Sequence, residues 1–352
     1  MDKIKIGIVG AGAIGGVMCA MLTEKGFDVE VAKRYNSDIV LDDLINLEIV
    51  GEFGNRNIFV KAVNGVDGFT SKKDVIFVLT KAYDAPAVAK QCLPYLNETG
   101  ILISSQNVMN VEDMINVVGE DRLFALIINW SATRYNKAKM EVTKSGNMIV
   151  GNFGNKSEAY LDIMQRILSN IAPTEISSNI IGDIWSRTII NSCISSVGAL
   201  TGVNLGKSML VPGTNRIFKN IIFENMHLAK VLKVNVKNYE ALNYYDFVKP
   251  GFKAMIYRHK MLTRLRKQNG QFVSSCQRAI ENNQKCEIEY LNGYFVELGR
   301  KVNVSTPTNK RIFDMVREVE NGERHMLLEN LSDYYLQHPK KYLKLIKVKK
   351  EV

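Results

Sequence analysis

Near its start the chain runs Gly10-Ala11-Gly12-Ala13-Ile14-Gly15, directly after the apolar run Ile4–Val9 and at the head of the periodic segment Ile14–Lys25. A Gly-x-Gly-x-x-Gly triplet alone arises by chance. Between a strand and a helix it narrows the fold to a βαβ unit that can hold a dinucleotide. In that setting Gly10 allows the tight turn and Gly12 lets the backbone approach a pyrophosphate. Gly15 lets helix and strand pack closely, so that the first helical turn, Ala13 and Ile14, faces the phosphates. The alternative is a simple strand–helix turn with no ligand.

The end of the next strand bears on which dinucleotide is bound. Asp28–Ala32 reads as that strand, and the sequence continues Val29-Glu30-Val31-Ala32-Lys33-Arg34. A site for NAD commonly ends this strand in an acid that holds the ribose 2′-hydroxyl. Here Glu30 lies inside the strand and the tip is two cations. Lys33 and Arg34 can grip a 2′-phosphate by charge-assisted hydrogen bonds, which favours NADP(H). Otherwise both cations simply cap an exposed strand end.

The rest of the first half continues to alternate strands with helix-like segments. Val75–Thr80 and Gly100–Ser104 read as strands flanking the helical segment Ala85–Leu96, and Phe124–Asn129 is a further apolar run. Met140–Asn152, with Gly146-Asn147 at its centre, reads as an antiparallel hairpin. After Gly182 strand signals nearly vanish, and Trp185–Leu200, Ile217–Leu232, Asn238–Tyr245, Gln277–Lys301 and Pro307–Asn321 read as helices. The fold expected is α/β, an N-terminal Rossmann-type parallel-sheet domain over 1–180 followed by an all-α domain over 181–335. A basic C-terminal tail, 336–352, reads as a solvated or frayed amphipathic helix, with contact to a membrane surface or nucleic acid as the alternative.

Charge follows the same division. The whole chain of 352 residues carries a net charge of +10, which first suggests a nucleic-acid or anionic-membrane partner. Residues 1–180 hold 18 Lys+Arg against 21 Asp+Glu, whereas 181–352 hold 28 against 15. The excess belongs to the helical half, part of it in the tail and part in the run Lys253, Arg258, Lys260, Arg264, Arg266 and Lys267. A solvated basic face accounts for that run, and attraction of an anionic substrate is the functional alternative. No nucleic-acid partner is expected. Five scattered cysteines without a Cys-x-x-Cys pair imply neither a disulfide framework nor a zinc site, and the four histidines lack metal spacing. With no signal-peptide pattern and no membrane-length apolar stretch, a cytoplasmic protein is expected.

Later strands of a Rossmann sheet also present their C-terminal ends to the cofactor. Two such ends are polar here, Thr80-Lys81 and Ser105-Gln106-Asn107. Lys81 can meet phosphate, ribose or an anionic substrate, and Asn107 can orient the nicotinamide ribose or the substrate; taken alone, each is otherwise a solvated loop residue. In the second half, Arg187, Asn191 and Ser195 stand at i, i+4 and i+8 and share one helix face. That face suits a bound polar ligand, or it is merely the wet side of the helix.

Taken together, these stretches resemble the ketopantoate reductases (2-dehydropantoate 2-reductases). The likeness rests on the glycine motif with Arg34, Lys81-Ala82-Tyr83, Gln106-Asn107, Trp185-Ser186-Arg187-Thr188-Ile189-Ile190-Asn191 and Ser274-Ser275. It extends through Glu287-Ile288-Glu289-Tyr290-Leu291-Asn292-Gly293-Tyr294 and Gly299–Pro307, in order over about residues 1 to 320. The resemblance implies NADPH-dependent reduction of a small anionic 2-oxo acid, ketopantoate to (R)-pantoate in the pathway to pantothenate and coenzyme A. The protein would be a monomer or homodimer without a metal. It further implies that Asn191 and Ser275 hold the substrate's carboxylate and carbonyl, that Glu287 binds its hydroxyl, and that Lys81 and Asn107 serve the cofactor.

Several positions depart from the family pattern. The lysine that donates a proton to the ketone is Arg187. Ser195 replaces an asparagine, Val108 a glycine, Cys276 a methionine and Ala279 an aspartate. A guanidinium is a fixed cation and a poor proton donor, so Arg187 can polarise the carbonyl or clamp the carboxylate while water or another side chain supplies the proton. Three readings stay open: a ketopantoate reductase that tolerates arginine, a reductase of another 2-oxo acid or related carbonyl, and a non-catalytic NADP(H)-binding sensor.

Overall fold

A computed structural model describes residues 4–33, 44–106, 108–154 and 158–351. Arg34 and Asn107, both assigned to the cofactor from sequence, lie outside these residues. The chain divides into two compact units, Met1–Ile180 and Ile181–Val352.

Among the described residues the first unit is built on eleven strands. They are β1 (Lys5–Val9), β2 (Asp28–Lys33), β3 (Leu44–Gly51), β4 (Arg56–Asn64), β5 (Lys73–Val78), β6 (Leu96–Ser104), β7 (Leu123–Ile128), β8 (Ser131–Arg134), β9 (Lys139–Lys144), β10 (Met148–Asn152) and β11 (Thr174–Ile176). Their order in one sheet is β11-β10-β7-β6-β5-β1-β2-β4-β3-β9-β8. The run from β7 to β4 is wholly parallel. Its order is that of a doubly wound dinucleotide-binding sheet, with the reversal of strand order falling between β1 and β5. Helices α1 (Ala13–Glu24) and α4 (Glu158–Leu168) belong to one face, and α2 (Ala85–Cys92) and α3 (Val111–Val118) to the other. Alternate residues of each central strand point to opposite faces: Val75 and Phe77 enter one core cluster, Ile76 and Val78 the other. Burial on both sides explains why these strands read as unbroken apolar runs.

The sheet is mixed at its margins. The pairs β3–β4, β8–β9 and β7–β10 are antiparallel. The hairpin expected over Met140–Asn152 does not form. Its two strands lie far apart, β9 between β3 and β8, and β10 between β7 and β11. Gly146 instead lets the chain pass the end of β7, where a Cβ would fall 2.4 Å from the Asn129 carbonyl oxygen. The Asn129 amide donates to the Asn147 carbonyl there (3.0 Å).

The second unit is helical: α5 (Ile180–Thr201), α6 (Leu205–Ser208), α7 (Thr214–Val231), α8 (Tyr244–Val248), α9 (Phe252–Asn269), α10 (Ser275–Glu281), α11 (Asn292–Lys301), α12 (Pro307–Glu320), α13 (Tyr334–Gln337) and α14 (Pro339–Glu351). Two sequence expectations fail here. Asn238–Tyr245 is a tight turn rather than a helix, with Tyr239 and Leu242 exchanging backbone hydrogen bonds and Glu240 left-handed at φ 50°. Asn243 then caps α8 by accepting from the Asp246 amide. Gln277–Lys301 is also broken. Asn282 ends α10, Asn283 takes φ 54°, and a short 3-10 turn, Ile288–Tyr290, precedes α11. The cationic run of the sequence is the helix α9, of which only Ala254, Met261 and Leu262 are buried. The C-terminal segment is a helix whose Tyr342 is buried, beneath the Arg311 guanidinium and bonded to Asp314 of α12.

Candidate active site

In the first unit the glycine turn is built as its sequence requires. Gly10 adopts φ 113°, and a Cβ there would stand 2.9 Å from the Leu79 carbonyl at the end of β5. A Cβ on Gly15 would lie 2.0 Å from the Gly10 oxygen, so this contact between α1 and β1 admits glycine alone. Gly12 differs: a Cβ there would meet nothing within 4 Å, which leaves open space above the start of α1. Gly12 is the N-cap, offers no side chain to the amides of Ala13 and Ile14, and no acid stands in the first turn. The free amides and the dipole therefore face a space suited to an anion.

The ends of β2, β5 and β6 surround this turn in the sheet. Glu30 is not at the tip of β2. Its carboxylate is buried and bonded to the Lys73 ammonium (2.6 Å) and to Thr70, and these bonds outweigh burial to hold it below the usual carboxylate range. Glu30 thus locks β2 to the start of β5 and is not available to a ribose. Lys33 ends β2 at 7% exposure; its carbonyl accepts from the Gly65 amide (2.8 Å), its ammonium has no hydrogen-bond partner among the described residues, and burial pushes that ammonium below the ordinary value. Gln106 ties β5 to β6, donating to the carbonyls of Val78 (2.9 Å) and Thr80 (3.0 Å) and bonding to Ser104. The Thr80 hydroxyl is buried without a partner among the described residues. Lys81 follows it, half-buried, and its carbonyl accepts from the amides of Asp84 and Ala85 at the head of α2.

One residue of this site escaped the sequence reading. Arg134, at the end of β8, donates from Nη1 to the Ala11 carbonyl (2.9 Å) and so sets a guanidinium on the glycine turn. It is 123 positions distant in sequence, and only the curl of β3, β9 and β8 over α1 brings it there.

In the second unit, α5 carries Arg187, Asn191 and Ser195 along one face. The neighbouring stripe Thr188, Ser192 and Ser196 is fully buried, and each hydroxyl bonds the carbonyl four residues earlier, so it needs no ligand. Arg187 and Asn191 are half-buried, and Ser195 is buried. Ser274 caps α10, accepting from the Gln277 amide (3.1 Å) and donating to the Ser195 carbonyl (3.3 Å). Gly198 allows this approach, since a Cβ would lie 2.5 Å from the Ser274 Oγ. Ser275 follows Ser274, exposed, in the first turn of α10. Glu287 is half-buried and opens the 3-10 turn before α11. Trp185 of α5 meets Phe295 of α11 edge-on (5.3 Å between centroids), joining the tryptophan motif to the glutamate motif. Arg187 itself donates from Nη1 to the Tyr239 hydroxyl (3.0 Å). Among the described residues no group of acidic, His and Cys side chains is suited to a metal, and no helix is long and apolar enough to cross a membrane.

Comparison with known proteins agrees with this layout. The family model "Ketopantoate reductase PanE/ApbA" matches residues 6–155, and its C-terminal counterpart matches 179–320. A 2-dehydropantoate 2-reductase of Aquifex aeolicus is 26% identical over 326 residues, spanning 90% of this chain and 97% of that protein. Among solved structures, a ketopantoate reductase family protein from Ralstonia eutropha superposes with a TM-score of 0.77 at 18% identity, over 92% of this chain and all of that one. A D-mandelate dehydrogenase bound to NADH and anilino(oxo)acetate superposes with a TM-score of 0.78 at 19% identity, over 91% and 99% of the two chains. The α/β unit and the helical unit each match their half of one enzyme family, and the chain belongs to the ketopantoate reductases, oxidoreductases acting on CH–OH donors.

Proposed function

We propose that this protein reduces a small 2-oxo acid to the 2-hydroxy acid with NADPH, and that the acid is 2-dehydropantoate, converted to (R)-pantoate. The reading rests first on β2: its internal acid is consumed by Lys73, and its tip offers the cation Lys33, whose ammonium has no hydrogen-bond partner among the described residues. A phosphorylated ribose suits that end better than a bare one.

The open space above Gly12, the amides of Ala13 and Ile14 without a side-chain cap, and the Thr80 hydroxyl, without a partner among the described residues, fit a dinucleotide. Gly10, Gly12 and Gly15 would let it approach, Lys33 and Arg34 would hold the 2′-phosphate, and Arg134 would add charge at the pyrophosphate. Lys81 and Asn107 would hold the nicotinamide end. When bound, the reduced nicotinamide supplies the hydride. On the helical unit, Asn191, Ser195 and Ser275 would bind the carboxylate and carbonyl, and Glu287 would accept from the substrate's hydroxyl. Arg187, a permanent cation, would stabilise the negative charge that grows on the carbonyl oxygen.

The test is to follow NADPH absorbance with a panel of 2-oxo acids, with NADH in parallel. Oxidation of NADPH by 2-dehydropantoate, well above that of NADH, is expected. Tight NADPH binding with no oxidation by any acid would sink the enzymatic reading and leave a cofactor-binding sensor. Turnover confined to a different 2-oxo acid would reassign the substrate.

A further inference from the structure

The reduction needs a proton as well as a hydride, and Arg187 cannot readily give one: a guanidinium loses its proton only above about pH 12. An ordinary phenol does so near pH 10, close to the lysine ammonium at about 10.4. The residue bonded to Arg187 is a phenol. The Tyr239 oxygen accepts from Arg187 Nη1 at 3.0 Å, and the guanidinium carbon lies 5.3 Å from the ring centroid. Arginine has no acceptor, so the phenolic hydrogen cannot be directed back at its partner. No described residue accepts it. The hydroxyl therefore keeps a proton to offer elsewhere, beside the cation that would stabilise the oxygen left behind. The Arg187 Nε is also buried without a partner among the described residues.

The backbone holds Tyr239 in place. The Lys237 amide donates to the Gly182 carbonyl of α5 (3.1 Å), and Tyr239 and Leu242 close the turn with bonds of 3.0 and 2.8 Å. The Tyr244 hydroxyl, fully buried, donates to the Ser186 carbonyl (2.7 Å), and the Tyr257 hydroxyl accepts from the Asn243 amide (2.8 Å). The tyrosine is thus fastened to the turn of α5 that bears Arg187. The half-buried ring lines a cavity with Ile190 of α5.

We propose that Tyr239 is the proton donor of this enzyme, standing in for the family's lysine, with Arg187 holding its oxygen and stabilising the charge. This rests on the reduction proposed above. As hydride adds to the carbonyl carbon, the C=O π pair moves to oxygen. That oxygen takes the proton from the Tyr239 hydroxyl, whose bonding pair stays on the phenol oxygen as phenolate against the Arg187 guanidinium. Solvent water then returns a proton to Tyr239, so each turnover consumes one hydride and one proton.

Four proteins test it: wild type, Tyr239→Phe, Arg187→Lys and the double variant. Dissociation constants for NADPH, from protein fluorescence, check that each remains folded and loaded. Tyr239→Phe should lower kcat for the best 2-oxo acid about 100-fold or more, the range of one general acid, with KM within about threefold. Arg187→Lys should restore at least tenfold of that loss in the Tyr239→Phe background, because the lysine supplies its own proton. A Tyr239→Phe enzyme with kcat near wild type, or one that loses only KM, would overturn the donor role and leave Tyr239 as a prop for Arg187. An active wild type alongside that result leaves the reduction standing, whereas a wild type inert toward every oxo acid overturns both.

Discussion

At the scale of single residues, the glycines were legible because their role is steric and local. Gly10 and Gly15 are forced by φ 113° and by a 2.0 Å approach that their spacing already encodes. Arg134 and Tyr239 were not legible, because each acts on a partner brought close by the fold, 123 and 52 positions away. Tyr239 was further hidden by the expectation of a helix, which would have turned it with its own helix face rather than toward Arg187. If Arg134 serves the pyrophosphate, Arg134→Ala should weaken NADPH and NADH alike, by about tenfold, the scale of one charge-assisted hydrogen bond at roughly 1.4 kcal/mol. Fluorescence titration with both dinucleotides reads this directly. A loss confined to NADPH would move Arg134 to the 2′-phosphate, and no loss with either would remove it from the site.

At the scale of elements, the central strands and α1 followed from periodicity, and most of the errors lie where polar side chains stop or turn the chain. Asn243 caps α8, Asn282 and Asn283 end α10, and neither stop was read from the apolar pattern. The strands β3 and β4 alternate buried with exposed positions at the margin of the sheet, and β8 is short and polar, so none stands out as an unbroken apolar run. Another polar device fastens the C-terminal helices. Asp333 caps α13 by accepting from the Leu336 amide (2.8 Å) and takes Arg311 of α12 on both oxygens (3.0 and 2.7 Å). Burial alone would raise this carboxyl, but Arg311 and the cap outweigh it and hold it below its usual 3.8. A carboxyl depressed in the folded state adds stability above its unfolded pKa and loses it as pH falls through the folded value. Asp333→Asn should therefore cost about 2 kcal/mol near pH 7, and the gap to wild type should shrink as pH falls below 3.8. Urea midpoints across that range check it. A gap independent of pH would locate the acid sensitivity elsewhere.

At the scale of the whole molecule, the net charge of +10 resolves into a slightly acidic unit and a strongly basic one. The α/β unit, with 18 cations against 21 acids, places Arg134 on the glycine turn and Lys33 at the end of β2. In the helical unit α9 alone bears six cations and no acid. Arg258 is spent on the carbonyls of Phe247 and Lys249 (2.9 Å each), but Lys253, Lys260, Arg264 and Lys267 are exposed. Charges of this kind add little to stability and act through the long-range field, raising encounter rates with anions. For a carboxylate substrate the field matters only while salt does not screen it. Reversing Lys260 and Lys267 to Glu should lower kcat/KM for the oxo acid by about threefold to tenfold at low ionic strength, where the Debye length is roughly 30 Å, and leave kcat unchanged. Near 1 M salt, where it is about 3 Å, the variant and wild type should coincide. A difference that persists in high salt would mean α9 touches the substrate directly. No difference at any salt, with steeply salt-dependent binding of duplex DNA lost in the variant, would assign the basic helix to nucleic acid instead.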